Sequence, residues 1–219
     1  MISGRQQEKG EALAKELREH GAEVEFVLAD VRYEADVKRM VDRAVERFGR
    51  RDVAVNNAGK DAMGYIGDIT PEAVREALDT NVLGTLLSLK HEFRVMRTQG
   101  HGSIVNVSSV FGHKGFAAGG SIYVGSKFAV EGITKSAGLE GAALGISVNA
   151  VAPGPIETAM FQRVVGTSGE AKSIIVGSVP ARRVGRPEEI ADAILFIASD
   201  KAAFMIGEVD SVDGGLGAG

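Results

Sequence analysis

The chain has 219 residues, of which 44% are apolar and 25% charged, the proportions of an ordinary globular protein with one sizeable core. Its net charge of −4 gives no electrostatic support for nucleic-acid binding, and the lack of cysteine excludes disulfides, thiol nucleophiles and thiolate metal sites. No apolar run approaches the roughly 18 residues of a membrane span. We expect one domain over residues 1–219, located in the cytoplasm, with no metal, nucleic-acid or membrane partner.

Strand and helix patterns alternate along the chain, which is typical of an α/β protein with a doubly wound parallel sheet and helices on both faces. The segment 153–184 shows no clear pattern and is predicted to be a loop-rich insertion. Helices are predicted over residues 6–20, 34–48, 70–98, 122–144 and 187–198, and strands over 24–29, 53–55, 103–107, 146–151 and 209–212.

Tyr123 and Lys127 lie four residues apart in one of these helices, so a phenol and an ammonium project from the same face. A nearby cation favours phenolate, and we therefore expect a pKa for Tyr123 below its usual value of about 10. If the loop before the helix folds back, the hydroxyl of Ser109 completes a trio able to pass a proton to or from an alcohol or carbonyl oxygen. Four-spaced pairs are ordinary helix neighbours, so the pair alone is a weak signal.

Further motifs accompany this pair along the chain: Asn56-Asn57-Ala58-Gly59 after an apolar run, Asn81 in a long helix, Ser108-Ser109-Val110-Phe111-Gly112, and Pro153-Gly154 after another apolar run. In this order they resemble the short-chain dehydrogenase/reductase family, over about residues 2–217. The resemblance implies a three-layer Rossmann-like fold and an oxidoreductase that transfers a hydride between NAD(P) and a small-molecule secondary alcohol or ketone. It also implies a homodimer or homotetramer formed through the helices around residues 86–96 and 129–139.

The resemblance assigns catalytic roles to four residues. Tyr123 would be the general acid and base, and Lys127 would lower its pKa and hold the ribose hydroxyls of the nicotinamide. Ser109 would hydrogen-bond the substrate oxygen; it is preferred over Ser108 because it aligns with the family's Ser-x-x-Gly. Asn81 would hold a water that relays protons to Lys127; the alternative is an ordinary helix asparagine with satisfied hydrogen bonds.

Cofactor contacts implied by the resemblance follow the predicted strands. They comprise the turn Asn57, Ala58 and Gly59, the adenine neighbours Asp30 and Val31, and the carboxamide loop with Pro153, Gly154, Ile156 and Thr158, together with Arg5, Tyr123 and Lys127. Plain alternatives are a strand-end turn at 57–59, a helix cap at Asp30 and a rigid proline turn at 153–155.

The choice between the two dinucleotides depends on Gly4 and Arg5. They stand where an acidic residue would favour NAD, whereas arginine accommodates the 2′-phosphate of NADP. The sequence therefore leans slightly to NADP over NAD, unless Arg5 is only a surface residue of the first helical turn.

The family's Thr-Gly-x-x-x-Gly-x-Gly turn, which holds the pyrophosphate, has no counterpart in this sequence. We expect the chain to begin within the fold and to lack the first strand-turn-helix, roughly 30 residues. Two absent strand positions would leave a gap of about 14 Å between the strands near Val24 and Val53. The alternative function is a non-catalytic, oligomer-forming remnant that cannot bind dinucleotide.

Apolar residues near the proposed site suggest a substrate pocket under a mobile lid. The alternative is that the lid residues are buried only against the protein's own surface. The residues in question are Val110, Phe111, Phe116, Met160, Phe161, Val164 and Val165.

Overall fold

The computed structural model describes residues 1–117, 119–166 and 169–218, apart from the side chain of Val164. Strands and helices alternate through this part of the chain. The strands are β1 (Ile2–Gly4), β2 (Phe26–Leu28), β3 (Val53–Asn56), β4 (Gly102–Val107), β5 (Ile146–Pro153) and β6 (Val209–Val212). The α-helices are α1 (Gln7–Glu19), α2 (Glu34–Phe48), α3 (Pro71–Leu78), α4 (Gly84–Gln99), α5 (Ser121–Ala142), α6 (Ala159–Val165), α7 (Gly169–Ser178) and α8 (Pro187–Ile197).

The predicted alternation of strands and helices is confirmed, and the α/β fold has the Rossmann-like arrangement expected. Helix α2 shows why the prediction succeeds there. Val37, Met40, Val41 and Ala44 recur at helical spacing and are buried, and Gly49 ends the helix with a φ of 78° that glycine adopts without steric cost. None of the described helices is both long and apolar enough to cross a membrane.

The prediction of a loop-rich segment over residues 153–184 is wrong, because α6 and α7 both lie within it. Thr158 begins α6 by accepting a hydrogen bond from the Phe161 amide at 3.2 Å. Helix α7 has no buried residue among those described, so it lacks the apolar stripe by which a helix is recognised in a sequence.

All strand pairs are parallel, but the described strands form two separate sheets. One contains β1 and β2, and the other has the order β3-β4-β5-β6. The expectation of two vacant strand positions is wrong, since Ile2–Gly4 pairs with Phe26–Leu28 as a strand of its own.

Helix α5 packs directly on β5 because two of its glycines face the sheet. A Cβ atom on Gly138 would lie 2.7 Å from the Gly207 nitrogen and 3.1 Å from the Val148 carbonyl oxygen, and one on Gly141 would lie 2.5 Å from the Ile146 carbonyl oxygen. These contacts are with backbone, which cannot move aside cheaply. The glycines therefore set the distance of α5 from the sheet.

We predict that Gly138→Ala lowers the free energy of unfolding by about 1–3 kcal/mol, because the added methyl overpacks this contact. Gly132→Ala is the matched control on the same helix, since its Cβ would meet nothing within 4 Å. The control should raise stability by about 0.5–1 kcal/mol through the usual gain in helix propensity. Urea denaturation measures both, and equal effects of the two substitutions would contradict the packing described.

Candidate active site

The candidate residues follow the carboxyl ends of parallel strands. Residues 57–59 follow β3, Ser109 lies just beyond β4, and Pro153 and Gly154 stand at the end of β5. In a parallel sheet these ends share one edge, which is where ligands bind in open α/β folds. Topology alone therefore gathers these segments from distant parts of the sequence.

Tyr123 and Lys127 lie on the first two turns of α5, with the Lys127 nitrogen 5.7 Å from the centroid of the Tyr123 ring. Lys127 is only 5% exposed, and its amine donates to the Val107 carbonyl at 2.9 Å, at the end of β4. The two side chains therefore lie on the same face of the helix, as their spacing predicts. The amine stands over the ring and is held by backbone.

The expected lowering of the pKa of Tyr123 is wrong. Burial raises that pKa, because the protein interior solvates phenolate poorly, and the charge of Asp61 adds to the rise. A side-chain hydrogen bond with Ser109 acts in the opposite direction. Burial also lowers the pKa of Lys127 from 10.5 to about 8, so part of the positive charge that was expected to act on the phenol is lost near that pH.

The two neighbouring serines have different partners. Ser109 interacts with Tyr123, and its hydroxyl oxygen also accepts a hydrogen bond from the Phe111 amide at 3.2 Å. The Ser108 hydroxyl instead donates to the Glu131 carboxylate at 3.0 Å. The arrangement thus agrees with the preference for Ser109 as the substrate-facing serine, which stays a prediction.

Asn81 lies in a π-helical segment, Asp79–Leu83, between α3 and α4. Such segments occur frequently at functional sites. The Asn81 side chain accepts from the Lys60 amide at 2.7 Å and donates to the Lys60 carbonyl and the Ser126 hydroxyl, each at 2.9 Å. Asn81 is therefore satisfied by protein atoms and ties the loop after β3 to α5, while the water relay stays a prediction.

Gly59 lies beside two of the candidate side chains. A Cβ atom on Gly59 would lie 3.6 Å from both the Asn81 Oδ1 and the Lys127 Nζ. Asn57 and Ala58, just before it, are exposed. The turn at 57–59 is thus an exposed strand-end turn that also borders the Lys127 amine.

Asp30 forms an ion pair with Arg32, with Nη2 2.6 Å from Oδ2, and this partner holds the pKa of Asp30 below its usual range. The helix-cap alternative for Asp30 is wrong, because Tyr33 occupies the N-cap position of α2. Val31 packs against Gly84 at the start of α4, where a Cβ atom would come within 2.7 Å. This places the loop after β2 beside the segment that contains Asn81.

The loop after β5 passes close to the backbone of the segment that follows β6. A Cβ atom on Gly154 would lie 2.7 Å from the Asp213 Cα, so only glycine fits there. Ile156 pairs with Gly185 in an isolated parallel bridge, and Thr158 caps α6. The rigid-turn reading of 153–155 is compatible with these contacts, and the carboxamide role of Ile156 and Thr158 stays a prediction.

The predicted apolar pocket is only partly supported. Val110, Phe161 and Val165 are buried within the chain. This agrees with the alternative, in which the lid residues are buried only against the protein's own surface. Phe111 and Phe116 pack together with ring centroids 4.7 Å apart, and Phe116 is 38% exposed. The side chain of Val164 lies outside the described part of the structure.

Sequence reasoning missed several residues that hold the site together. Lys60 acts through its backbone, as does Val107, and backbone contacts leave no signature in residue type. Glu131 lies four residues beyond Lys127, and this helical spacing was the signal that could have been followed. Ser126, the immediate neighbour of Lys127, gave no such signal.

Comparisons with known proteins identify the family of the chain. The family model described as enoyl-(acyl carrier protein) reductase matches residues 1–217. The chain is 38% identical over 216 residues to a cis-4-hydroxycyclohexanecarboxylate dehydrogenase of Sinomonas cyclohexanicum, a match covering 98% of this chain and 85% of that protein. A gluconate 5-dehydrogenase of Burkholderia cenocepacia, solved with NADP and tartrate, has a TM-score of 0.93 at 30% identity, covering 100% and 85% of the two chains. An actinorhodin polyketide ketoreductase solved with NADPH has a TM-score of 0.93 at 34% identity, covering 99% and 86%.

The fold and these matches define an oxidoreductase of the nucleotide-binding Rossmann class. The chain belongs to the short-chain dehydrogenase/reductase family, whose members depend on NAD(P). The alternative of a non-catalytic remnant is not favoured, since the relatives named as dehydrogenases and reductases match over nearly the whole chain.

The burial of Lys127 predicts a pH-dependent stability. Between about 8 and 10.5 the unfolded chain binds more protons at this residue than the folded protein, so stability should rise with pH. Relative to Lys127→Met, the free energy of unfolding of the wild type should increase by about 2 kcal/mol from about pH 7 to about pH 9.5. Urea denaturation at both pH values measures this, with the exposed Lys201→Met as control. Parallel pH profiles for wild type and Lys127→Met would contradict the burial of a titrating amine.

Proposed function

We propose that the protein transfers a hydride between NADP and a secondary alcohol or ketone, with Tyr123 as general acid and base. The observation that carries this proposal is the convergence of the Tyr123 phenol, the Ser109 hydroxyl and the Lys127 amine at the carboxyl end of β4. Two hydroxyl groups so placed can hold one ketone oxygen by two hydrogen bonds and polarise its carbonyl.

The residues at this edge suit the nicotinamide end of a dinucleotide, which when bound supplies or accepts the hydride. Lys127 and Asn81 place an amine and an amide oxygen beside Gly59. These are groups able to hydrogen-bond the hydroxyls of a ribose. The remaining proposed contacts are Asn57, Ala58, Asp30, Val31, Pro153, Gly154, Ile156 and Thr158.

Proton movement follows from the two pKa shifts. The raised pKa keeps Tyr123 as a neutral phenol at neutral pH, so it can donate its proton to the ketone oxygen during reduction. Lys127, with a pKa of about 8, is mostly protonated there and stabilises the phenolate that remains. Ketone reduction is therefore favoured at neutral pH, whereas alcohol oxidation needs phenolate and rises with pH.

The preference for NADP rests on Arg5. Arg5 follows β1, is exposed, and lies close enough to Asp30 for its charge to lower the pKa of that carboxylate. Because Arg32 already forms the ion pair with Asp30, the positive charge of the Arg5 guanidinium can interact with a 2′-phosphate. Relatives solved with NADP or NADPH support the same choice.

The glycine-rich turn is the part of a dinucleotide site that these 219 residues do not contain. Among the described strands, β1 and β3 each have an edge without a hydrogen-bonded neighbour, and Val53 and Val55 of β3 are 45% and 42% exposed. Exposed apolar strand edges are usually paired or covered. We infer that a further strand, followed by the pyrophosphate-binding turn, fits between β1 and β3.

The substrate class and the assembly stay proposals. The named relatives act on a cyclic hydroxy acid, a sugar acid and a polyketide, so we infer a small carbonyl or hydroxyl compound for this chain. The exposed Leu86, Phe128 and Leu139 on α4 and α5 suit a homodimer or homotetramer interface.

We predict that Tyr123→Phe lowers kcat for ketone reduction at least about 100-fold, because the proton donor is lost. The dissociation constant for NADPH should change less than about twofold, since the ring is kept. Steady-state kinetics and fluorescence titration measure the two effects. Tyr33→Phe, which removes the hydroxyl of an exposed tyrosine, is the control. Near wild-type turnover in Tyr123→Phe would discredit the assignment.

We predict that Arg5→Ala weakens NADPH binding about tenfold and leaves NADH binding unchanged, because only NADPH carries the 2′-phosphate. Fluorescence titration with both dinucleotides measures this, and Arg50→Ala, remote from the strand ends of the site, is the control. Equal losses for the two dinucleotides would contradict the role of Arg5.

The same titration separates the contribution of the glycine-rich turn. A strand and a Thr-Gly-x-x-x-Gly-x-Gly turn added ahead of Met1 should tighten NADPH and NADH by similar factors, because both carry the pyrophosphate. An unchanged affinity would contradict the inferred position of the turn.

A further inference from the structure

A buried carboxylate lies behind the candidate active site. Glu131 is 6% exposed and stands on α5 one helical turn beyond Lys127 and two turns beyond Tyr123. It is not among the groups that hold or move the proton in the proposed reaction. A buried carboxylate is costly unless hydrogen bonds satisfy it, so its partners indicate what it does.

Glu131 holds both ends of the loop that carries Ser109. Its Oε1 accepts a hydrogen bond from the Ser108 hydroxyl at 3.0 Å and lies 3.0 Å from His113 Nδ1. Between these two anchors, a Cβ atom on Gly112 would lie 2.1 Å from the same oxygen. The carboxylate is thus seated directly against the turn 108–113.

The turn between the anchors is itself short and closed. The Gly112 amide donates to the Ser109 carbonyl at 2.7 Å, and the Phe111 amide donates to the Ser109 hydroxyl oxygen at 3.2 Å. Ser109 therefore has little freedom of its own. Its position relative to α5 is set by what fastens the whole turn to that helix.

His113 extends the same attachment to the last strand. Its Nε2 is 3.4 Å from the Ser211 hydroxyl of β6, and a Cβ atom on Gly217 would lie 3.1 Å from that nitrogen. The Asp213 carboxylate accepts from the Gly217 amide at 2.7 Å, which holds this segment in place. Glu131 and His113 thereby connect α5, the serine turn and the chain beyond β6.

We propose that Glu131, with His113, is a positioning residue that fixes the Ser109 hydroxyl at its working distance from Tyr123 and Lys127. This inference rests on the proposed function, because it assigns Ser109 to the substrate oxygen. Glu131 lies on the same helix as the acid and the amine. A rigid link from that helix to the turn keeps all three groups in one frame, and small displacements of such groups are costly in rate.

A double-mutant cycle tests this role through the kcat/KM for NADPH-dependent reduction of a cyclic ketone. Ser109→Ala should lower kcat/KM about 100-fold but leave a measurable rate from Tyr123 and Lys127. Glu131→Ala should lower it about tenfold in the wild type and less than about twofold in the Ser109→Ala background, because its effect passes through the serine. Glu131→Gln, which keeps the Oε1 acceptor, should restore activity to within about threefold of wild type.

Thermal unfolding of every variant separates positioning from folding. Should Glu131→Ala not fold, Ser108→Ala removes one anchor with little change in volume, and the same non-additivity with Ser109→Ala is expected. Equal losses from Glu131→Ala with and without Ser109, or no rescue by Glu131→Gln, would overturn this inference alone. Wild-type turnover in Ser109→Ala would overturn both this inference and the role of Ser109 in the proposed function.

Discussion

The burial of one amine, that of Lys127, is the constraint on which the rest of the site depends. An ammonium in the protein interior is poorly solvated, and here the Val107 carbonyl at the end of β4 receives its hydrogen bond. The helix must therefore lie close to the sheet, and Gly138 and Gly141 permit that approach. Once the helix lies there, Tyr123 is carried to the same edge of the sheet, one turn before the amine.

The other parts of the site are arranged around this helix by hydrogen bonds. The side chain of Asn81, in the π-helical segment, forms hydrogen bonds with Ser126, next to Lys127, and with the backbone of Lys60. Glu131 fastens the serine turn to the following turn of α5. The loop at Lys60, the π-helical segment and the serine turn are thus connected to α5 by hydrogen bonds. These connections fix the positions of the phenol, the serine and the amine relative to one another, so that all three can act on one oxygen atom.

Residue type and spacing predicted the parts of this structure that depend on periodic burial. The spacing of apolar residues predicted helix α2. The four-residue spacing of Tyr123 and Lys127, about one helical turn, predicted that their side chains share a face. Helix α7 did not, because it has no buried stripe among its described residues. The direction of the pKa shift at Tyr123 was also missed, since it depends on how deeply the phenol is buried, which spacing does not encode. The hydrogen bonds of the Asn81 side chain were missed as well, because they go to the backbone of Lys60, and backbone contacts leave no mark in the sequence.

Transfer of a labelled hydride tests the central claim most directly, because it follows the reacting atom itself. NADPH carrying deuterium at its transferring carbon would be incubated with the protein and a panel of cyclic, acyl and sugar ketones, and the alcohols analysed by mass spectrometry. The arrangement around Tyr123 predicts an alcohol with one deuterium on the carbinol carbon, formed by the wild type. Saturating binding of NADPH with no labelled alcohol from any ketone of the panel would contradict it.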